Sequence, residues 1–433
     1  MPESKAQPLL HSFADRTMSM HRSNLLEHTR GRMQAVDVPY QILGRALTIG
    51  CVAVEITQRC NLDCTLCYLS EHSEHVVDIP IEEVYRRLDA VLENYGPYTS
   101  VQITGGDPTL RKHSELVDIV AYARSLQLFP ALFTNGIAAS RRLLERLVEA
   151  GLSDVAFHVD TTQQRSGFDS ERALNKVRLE YLERTRGLDL MVIFNTTVHQ
   201  GNVDELPDLM RFFTEHAGAI GLASFQLQAE TGRGVWGARA AAVSLEGIRG
   251  CLDAVAGRAL PWDAIRIGHP ACHSYLPTVV INDTIVPLVE DTTLVGDFIS
   301  DFAGEHADRR EGRWRVAAQY LGAVVRRPRW ILRGAGFVAT HLWRSRWALW
   351  RGRGRVRQIS FFVQNFMDAK ALESERILAC SFMVMTADGP VSMCEHNAHR
   401  DEYILKPIRF RRRDGSLGHY EPLAAKRSNT SAA

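Results

Sequence analysis

Short apolar runs and longer amphipathic segments alternate along the middle of the chain, from residue 48 to residue 260. Runs rich in β-branched and aromatic residues predict six strands, at 52–56, 100–104, 129–134, 154–159, 189–198 and 223–228. The segments between them have helical periodicity and predict helices such as 81–94, 114–125, 140–150 and 204–216. Because parallel strands are joined by crossovers of one hand, six such units predict an α/β fold, either a barrel or a doubly wound sheet. In a barrel, functional residues follow the carboxyl ends of the strands.

Three cysteines follow the first predicted strand in the spacing Cys-x3-Cys-x2-Cys, at Cys60, Cys64 and Cys67. Thiolates on one tight loop can hold three irons of a [4Fe–4S] cluster, which leaves the fourth iron open to a small molecule. Structural zinc is the alternative, but it needs four ligands, and the sequence offers no second pair at the usual spacing. Disulfides are typical of short secreted chains rather than of 433 residues with scattered cysteines.

The segment Arg59–Tyr68 resembles the signature of radical S-adenosylmethionine (radical SAM) enzymes, although Leu66 stands where the family usually has an aromatic residue. After the second strand, Gly105-Gly106-Asp107-Pro108 is similar to the Gly-Gly-Glu-Pro motif of the same family. The resemblance implies a partial (β/α)6 TIM-like radical SAM barrel over residues 48–260. It also implies SAM on the open iron, an electron donor such as flavodoxin or ferredoxin, and hydrogen abstraction by a 5′-deoxyadenosyl radical.

Candidate SAM-binding residues come from the motifs and from the ends of the later strands. The resemblance assigns Gly105, Gly106 and Asp107 to the SAM amino group and places Tyr68 beside the cofactor. The barrel rule adds the polar residues Thr134, Asn135, His158, Asp160 and Asn195. His158 and Asp160 lie two residues apart and therefore share one face of the strand. A histidine that is simply buried and hydrogen-bonded is the alternative for His158.

Residues 261–400 lack the repeat and are predicted to be a C-terminal extension. An Asp-Gly turn at Asp388 predicts a hairpin that brings Cys380 and Cys394 side by side. With Cys272 they are candidate ligands of an auxiliary iron–sulfur cluster, for which Cys251 or a histidine is a less favoured fourth ligand. Buried structural thiols are the alternative.

Three short motifs of the extension resemble the radical SAM subgroup around archaeal tetraether lipid synthase, which joins lipid chains at unactivated carbons. They are His269-Pro270-x-Cys272, Asn365-Phe366-Met367-Asp368, and Cys380 with Cys394-x-His396-Asn397. That subgroup carries more cysteines than this chain, so its full set of metal centres is not implied. The resemblance implies a lipid or isoprenoid substrate and C–C coupling or a related modification.

Residues 312–358 are rich in arginine and tryptophan and contain no Asp or Glu. Trp343, Trp347 and Trp350 stand at i, i+4 and i+7, so they share one helical face. Indoles and guanidinium groups together suit the interface of an anionic membrane, which predicts peripheral membrane contact. The alternatives are tryptophans packed on the barrel beneath solvated arginines and, less favoured, nucleic-acid binding.

The formal net charge of +1 excludes a global bias toward polyanions. Residues 1–47 read as a leader without the apolar core of a secretory signal, and residues 401–433 as a polar tail. With no long apolar run, we expect a cytoplasmic protein, or one peripheral to the inner face of the membrane. The expected function is a radical SAM enzyme that activates a C–H bond. A peptide or RNA substrate, and a zinc-binding or redox-sensing module, are the alternatives.

Overall fold

The computed structural model describes residues 21–233, 243–305, 308, 311–412 and 414–423. The first part of the predicted leader, residues 1–20, and the end of the predicted tail, residues 424–433, lie outside these ranges. The strands are β1 (Cys51–Thr57), β2 (Ser100–Gly105), β3 (Phe129–Thr134), β4 (Asp154–His158), β5 (Met191–Val198), β6 (Leu222–Leu227), β7 (His273–Ile281), β8 (Thr284–Pro287), β9 (Val356–Asn365), β10 (Phe382–Thr386), β11 (Gly389–Ser392), β12 (Ile408–Arg411) and β13 (Leu417–Tyr420). The helices are α1 (residues 21–32), α2 (Ile81–Tyr95), α3 (His113–Ser125), α4 (Arg141–Ala150), α5 (Glu171–Thr185), α6 (Leu206–Glu215), α7 (Leu245–Ala256), α8 (Thr292–Phe302), α9 (Arg313–Val325), α10 (Pro328–Arg351), α11 (Ser374–Leu378), α12 (Met393–Ala398) and α13 (Arg400–Ile404).

Strands β1 to β6 stand side by side in chain order, and every neighbouring pair is parallel. Helices α2 to α6 connect successive strands, as in a β/α barrel. The six predicted strands and the four predicted helices are confirmed, and helix α5, which was not predicted, completes the series. The chain therefore has the α/β fold, with a curled and mostly parallel sheet.

Strand β1 shows why these apolar runs become parallel strands. All seven of its residues are buried, because the strand has neighbours on both edges and is covered on both faces. Val84, Leu88 and Val91 of helix α2 belong to the same apolar core as Val52 and Val54. Each such side chain contributes about 1.5–3 kcal/mol when it is fully buried. This packing fixes the end of β1, and with it the start of the cysteine loop.

The C-terminal extension adds strands to both edges of the six-stranded core. Strand β9 pairs in parallel with β6, and β10 pairs in parallel with β1, so eight parallel strands stand in a row. Side chains bridge the two ends of this row. Ser381 Oγ lies 2.6 Å from His273 Nε2, and the Phe382 ring centroid lies 5.0 Å from that of His273 and 5.7 Å from that of Phe362. We call this junction of β7, β9 and β10 the seam.

The end of the chain contains more structure than its polar composition predicted. Residues 408–420 are not a tail but the antiparallel hairpin of β12 and β13. The Tyr420 hydroxyl donates to the Val77 carbonyl at 2.8 Å, and the Val77 amide donates to the Pro422 carbonyl at 3.0 Å. Ile408 and Tyr420 are buried although a run of arginines, residues 409 and 411–413, lies between them in the sequence. The alternation of apolar and charged residues, which is typical of an edge hairpin, was masked by the run of arginines.

Helices α9 and α10, which we call the arm, are inserted between β8 and β9. Trp330 anchors the arm, since its ring contacts Phe298 and Phe302 of α8 edge-on and its Nε1 donates to Asp301 Oδ2 at 2.5 Å. Among the helices of the described residues, none combines the length and the apolar character that a bilayer crossing requires.

Candidate active site

The carboxyl ends of the central strands surround a cavity of about 210 Å³. Eleven of the predicted site residues line this cavity: Cys60, Cys64, Cys67, Tyr68, Gly105, Gly106, Thr134, Asn135, His158, Asn195 and Cys394. The other predicted residues lie behind its wall or further away, namely Asp107, Asp160, Cys251, Cys272 and Cys380. The strand-end rule therefore located the cavity, although it did not separate residues that face it from residues that support it.

The cysteine loop leaves β1 at Thr57 and places three free, half-buried thiols at the cavity. Burial raises the pKa of the Cys64 thiol, and the neighbouring thiols Cys67 and Cys60 raise it further. Burial also raises the pKa of Cys60. Burial thus disfavours the thiolate form of Cys60 and Cys64, and a metal centre is what would hold three adjacent thiolates together.

The glycine pair at the end of β2 packs directly against the start of this loop. Gly106 N donates to the Thr57 carbonyl at 2.9 Å. Gly105 has φ +132°, and a Cβ atom there would lie 1.9 Å from the Thr57 oxygen. A Cβ atom on Gly106 would lie 2.1 Å from the Arg59 oxygen. Only glycine permits this approach, so the pair sets the position of the backbone that leads into Cys60.

Asp107 supports the site rather than facing the cavity. Its carboxylate is buried and accepts hydrogen bonds from Thr109 N at 3.0 Å, Thr134 Oγ1 at 2.8 Å and Asn135 N at 2.9 Å. Protein donors occupy both oxygens of this carboxylate, so the predicted contact of Asp107 with the SAM amino group, which runs through the backbone, stays a prediction. Its place in the structure is to hold the ends of β2 and β3 together.

Asn135 links that support to the cysteine loop. Its Nδ2 donates to Asn61 Oδ1 at 2.6 Å and lies 3.9 Å from Cys60 Sγ. Its Oδ1 accepts from Ile137 N at 3.0 Å, which fixes the direction of the side-chain amide. An amide donor beside a thiolate favours the charged form of the sulfur.

His158 and Asp160 form a pair at the end of β4, as their spacing predicted. His158 Nε2 lies 2.6 Å from Asp160 Oδ2 and 3.1 Å from Thr197 Oγ1. Asp160 is fully buried and also accepts from the backbone amides of Thr162 and Thr197. Burial alone would lower the pKa of His158, but the carboxylate of Asp160 outweighs it and raises that pKa. The cavity is therefore lined by an imidazole that a buried carboxylate orients and whose protonated form that carboxylate favours.

A buried ion pair that the sequence did not reveal closes the site from behind. Arg400 of α13 and Glu55 of β1 are paired at 2.5 Å, with 3% and 7% of their side chains exposed. The Arg400 guanidinium also lies 4.8 Å from the centroid of the Tyr68 ring, and the Tyr68 hydroxyl donates to the Gly105 carbonyl at 2.7 Å. Tyr68 is thus held by the protein on two sides. The pair joins positions 345 residues apart, so no local pattern could have indicated it.

The structure brings Cys272, Cys380 and Cys394 together at the seam. The hairpin of β10 and β11 pairs Met383 with Ser392, which sets Cys380 and Cys394 beside each other as predicted. Burial raises the pKa of Cys380 to about 11 and that of Cys394 to about 12, and the proximity of the Cys272 thiol adds to both rises. Cys251 stands apart on α7, where its charged neighbour is Asp204.

Each thiol of the seam has a protein partner. Cys272 Sγ accepts from Arg376 Nε at 3.2 Å, Cys380 Sγ donates to the Phe382 carbonyl at 2.8 Å, and Cys394 Sγ accepts from Met367 N at 3.4 Å. The Arg376 contact lowers the pKa of Cys272, although burial, the larger effect, raises it overall.

The domain that contains the cysteine loop is recognised by comparison with known proteins. The family model of the radical SAM superfamily matches residues 54–213. Residues 54–213 are a radical SAM domain. The domain spans the three loop cysteines, the glycine pair, and His158 with Asp160.

Curated relatives match this same part of the chain. A 7,8-dihydro-6-hydroxymethylpterin dimethyltransferase of Methanocaldococcus jannaschii is 28% identical over 186 residues, which are 42% of this chain and 36% of that protein. A PqqA peptide cyclase of Bradyrhizobium diazoefficiens is 26% identical over 43% of this chain and 46% of its own length. A probable GTP 3′,8-cyclase of Pyrococcus abyssi is 32% identical over 37% of this chain and 51% of its own length. The chain thus spans about half, or less, of these relatives.

Solved structures with partial similarity include Streptococcus suis SuiB bound to its precursor peptide SuiA. That structure has a TM-score of 0.40 and 16% sequence identity, and the match covers 59% of this chain and 52% of that one. A second is anSMEcpe with bound AdoMet, with a TM-score of 0.38, 15% identity, and coverage of 48% of this chain and 59% of the other.

Radical SAM domains use a [4Fe–4S] cluster and SAM, and the residues of this domain fit both. Three half-buried thiols stand at the edge of a cavity whose other polar lining, including Asn135 and His158, can serve a nucleoside and an amino acid. Within the described ranges, no three His, Cys, Asp or Glu side chains converge on a point where one metal ion could bind. A cubane cluster does not need such convergence, because each thiolate binds a different iron.

Proposed function

We propose that this protein is a radical SAM enzyme that reductively cleaves SAM and activates a C–H bond of its substrate. The observation that carries the proposal is the meeting of Cys60, Cys64 and Cys67 at the cavity formed by the ends of the strands. When bound, the cluster and SAM supply the electron transfer and the hydrogen abstraction. An external electron donor, such as flavodoxin or ferredoxin, is the expected partner.

In this proposal the protein residues position the cofactors and handle protons. The three loop cysteines hold the cluster, and the Asn135 amide supports the Cys60 sulfur. The backbone of Gly105 and Gly106, together with the side chains of Tyr68, Thr134 and Asn195, provides polar contacts for SAM. The Asp160 carboxylate favours the protonated form of His158, because it raises the pKa of the imidazole. Asp160 and Thr197 both contact the Nε2 atom, which holds the ring in place at the cavity wall.

The proposed substrate is a lipid or isoprenoid chain. The extension contributes mostly apolar residues to the cavity wall, including Phe366, Met367, Phe382, Val384 and Met393. Such a wall suits a substrate that lacks polar groups at the reacting carbon. The resemblance of the extension motifs to the tetraether lipid synthase subgroup supports the same class of substrate, with C–C coupling as the expected outcome. We expect the enzyme to work in the cytoplasm, at the inner face of the membrane.

A peptide substrate is the second candidate. The PqqA peptide cyclases among the relatives, and SuiB with its bound peptide, are the observations that favour it.

We also propose that Cys272, Cys380 and Cys394 bind a second iron–sulfur cluster. Their convergence at the seam and the contact of Cys394 with the cavity support this. Deprotonation of the three thiols by iron would offset the burial that now keeps them neutral. The alternative is that these three thiols are structural, bind no metal and keep their present hydrogen-bond partners.

The first experiment is anaerobic reconstitution with iron and sulfide, followed by metal analysis and low-temperature EPR with and without SAM. We expect a cluster signal that SAM perturbs in the wild type, and its loss in the Cys60→Ala/Cys64→Ala/Cys67→Ala variant. Iron that remains in this variant, and disappears when Cys380→Ala is added, supports the second cluster. Cys251→Ala is the matched control and should change neither signal. Zinc without acid-labile sulfide in the wild type would overturn the proposed function in favour of a binding module.

The substrate class is tested by isotope transfer. The reconstituted enzyme is incubated with SAM and a reductant, together with either perdeuterated isoprenoid lipids or deuterated peptides. Deuterium in the 5′-deoxyadenosine product identifies the class that donates the hydrogen atom. Label from the lipids supports our proposal, and label from the peptides alone would contradict it.

A further inference from the structure

We propose that the arm, helices α9 and α10, is a docking surface for an anionic lipid membrane. The inference deepens the proposed function, since it names the surface from which a lipid substrate would be taken. It does not depend on catalysis and can be tested without it.

Helix α10 has one buried face and one exposed face. The face that includes Trp330 and Ser345 is buried against the rest of the protein. The opposite face carries Trp343, Trp347 and Trp350, which are 68%, 63% and 75% exposed. Single exposed apolar residues are ordinary, but three indoles in one stripe form an apolar patch of the kind that marks a binding surface. Helix α9 adds exposed apolar residues at Trp314, Leu321 and Val325.

The arginines of the arm divide between the two faces, which corrects the expectation that they act together. Five of them fasten the arm to α8 and its flanks: Arg326 and Arg327 to Glu305, Arg329 to Asp301, Arg333 to Asp297, and Arg344 to Glu290. These pairs have a structural purpose. The carboxylates of α8 are therefore already paired, and they do not neutralise the arginines on the outer face of α10, the face that carries the three exposed indoles.

The cations of the outer face lie among or just beyond the indoles. The Arg346 guanidinium lies 4.1 Å from the centroid of Trp343 and 5.7 Å from that of Trp347. Arg351, Arg353 and Arg355 follow the last indole and are exposed, and no carboxylate of the described residues is within ion-pair distance of them. The outer face of α10 is therefore an apolar stripe of indoles with Arg346 among them. A cluster of cations follows at the end of the helix.

This combination fits the headgroup region of an anionic bilayer. Indoles prefer the depth of the headgroups, and guanidinium groups pair with lipid phosphates. The arginines along α10 oppose deeper insertion, which agrees with a helix that lies on the membrane. A protein partner would need a groove that is both acidic and apolar. An anionic bilayer has negative headgroups directly above an apolar interior, so it matches the indoles and the guanidinium groups at once. We therefore favour the membrane, and RNA binding becomes an outcome of the test.

The test is flotation of the full-length reconstituted protein with phosphatidylcholine vesicles that contain or lack phosphatidylglycerol. We expect binding to the anionic vesicles only. The Trp343→Ala/Trp347→Ala/Trp350→Ala variant should bind at least about a hundredfold more weakly, since each indole at the interface contributes at least about fivefold. The Arg351→Gln/Arg353→Gln/Arg355→Gln variant should also lose about a hundredfold, because each cation near an anionic surface contributes about fivefold. Leu378→Ala/Leu417→Ala removes two exposed apolar residues elsewhere and is the matched control.

Two further measurements keep the result independent of folding and of catalysis. Brominated phosphatidylglycerol should quench the wild-type tryptophan fluorescence more than brominated phosphatidylcholine does. EPR of the SAM-perturbed cluster should be unchanged in both arm variants, so failure of docking is distinguishable from failure of the proposed chemistry. Equal binding to neutral vesicles, unchanged binding of the tryptophan variant, or displacement from anionic vesicles by single-stranded RNA would each overturn the membrane proposal.

Discussion

The chain assembles two groups of three cysteines in different ways. Cys60, Cys64 and Cys67 lie within one loop, are half-buried and face the cavity. Cys380 and Cys394 flank the hairpin of β10 and β11, and Cys272, from a distant part of the chain, joins them only when β7, β9 and β10 form the seam. The first group is arranged by local chain geometry, and the second by the packing of the whole barrel.

This difference bears on what each group can do. The loop thiols face the cavity, and a donor beside them, the Asn135 amide 3.9 Å from Cys60 Sγ, favours the thiolate form that a cluster requires. At the seam the Cys380 thiol donates to the Phe382 carbonyl, so a cluster there must replace that contact. Substitutions should therefore affect the two groups unequally.

The largest effect is expected from Cys67→Ala. Loss of one of three loop ligands should abolish the SAM-perturbed EPR signal and reduce 5′-deoxyadenosine formation in the absence of substrate to background. Cys380→Ala is the comparison from the seam, and it should retain both. If Cys380→Ala also abolishes reductive SAM cleavage, the two groups are not independent and the comparison fails.

The next effect concerns the joint between the radical SAM domain and the extension. Arg400→Met leaves the Glu55 carboxylate buried without its partner, which should lower the free energy of unfolding by about 3–5 kcal/mol. Lys406→Met removes an exposed cation paired with Asp388 and is the control, with an expected change of about 1 kcal/mol or less. Chemical denaturation of both variants measures the difference. Equal effects would show that the buried pair does not hold the extension in place.

The same pair predicts a dependence of stability on pH. Burial would raise the pKa of Glu55, but Arg400 outweighs it, and the pKa is lowered below 4.5. A lowered carboxyl pKa contributes stability above the unfolded-state pKa, and that contribution is lost as the pH falls through the folded-state pKa. The stability difference between wild type and Glu55→Gln should therefore shrink as the pH falls below 4.5. A difference that stays constant down to the acid transition would contradict this account.

A smaller effect is expected from Gly106→Ala. The new Cβ atom would lie 2.1 Å from the Arg59 oxygen, so the cysteine loop must shift. We expect a loss of about 2–3 kcal/mol in stability and a lower iron content after reconstitution. Gly250→Ala is the matched control, because nothing lies within 4 Å of its Cβ position and alanine is favoured within α7. If the iron content of the Gly250 variant also falls, the loss of iron in the Gly106 variant is not caused by a shift of the cysteine loop.

Sequence patterns identified the core better than the extension for a physical reason. Each strand from β1 to β6 is a short apolar run followed by its own helix. Residues that are close in the sequence therefore determine this part of the fold. The cysteine loop and the glycine pair are also local. By contrast, β10 pairs with a strand that lies more than 300 residues earlier, and the contact of Glu55 with Arg400 joins the same distant parts. Patterns of period two or 3.6 contain no information about such partners.

The sequence also could not show which strand-end side chains face the cavity. The strand-end rule correctly gathered Thr134, His158 and Asn195 at the cavity, yet Asp107 and Asp160 stand behind the wall and bind neighbouring backbone amides. A carboxylate after a strand can serve either purpose, and the sequence does not distinguish them. The arginines of the arm are similar, since composition could not show which would pair with α8.

The smallest predicted effect tests the end of the chain, where composition suggested a tail. Tyr420→Phe removes the hydroxyl that donates to the Val77 carbonyl at 2.8 Å, which should cost about 1 kcal/mol of stability. The neighbouring His419 is exposed, so His419→Ala is the control and should leave the stability unchanged. Limited proteolysis supplies a second measurement: the Tyr420 variant should be cleaved faster between β12 and β13 than the wild type. If both variants behave as the wild type, the hydrogen bond from Tyr420 to Val77 does not hold the hairpin in place.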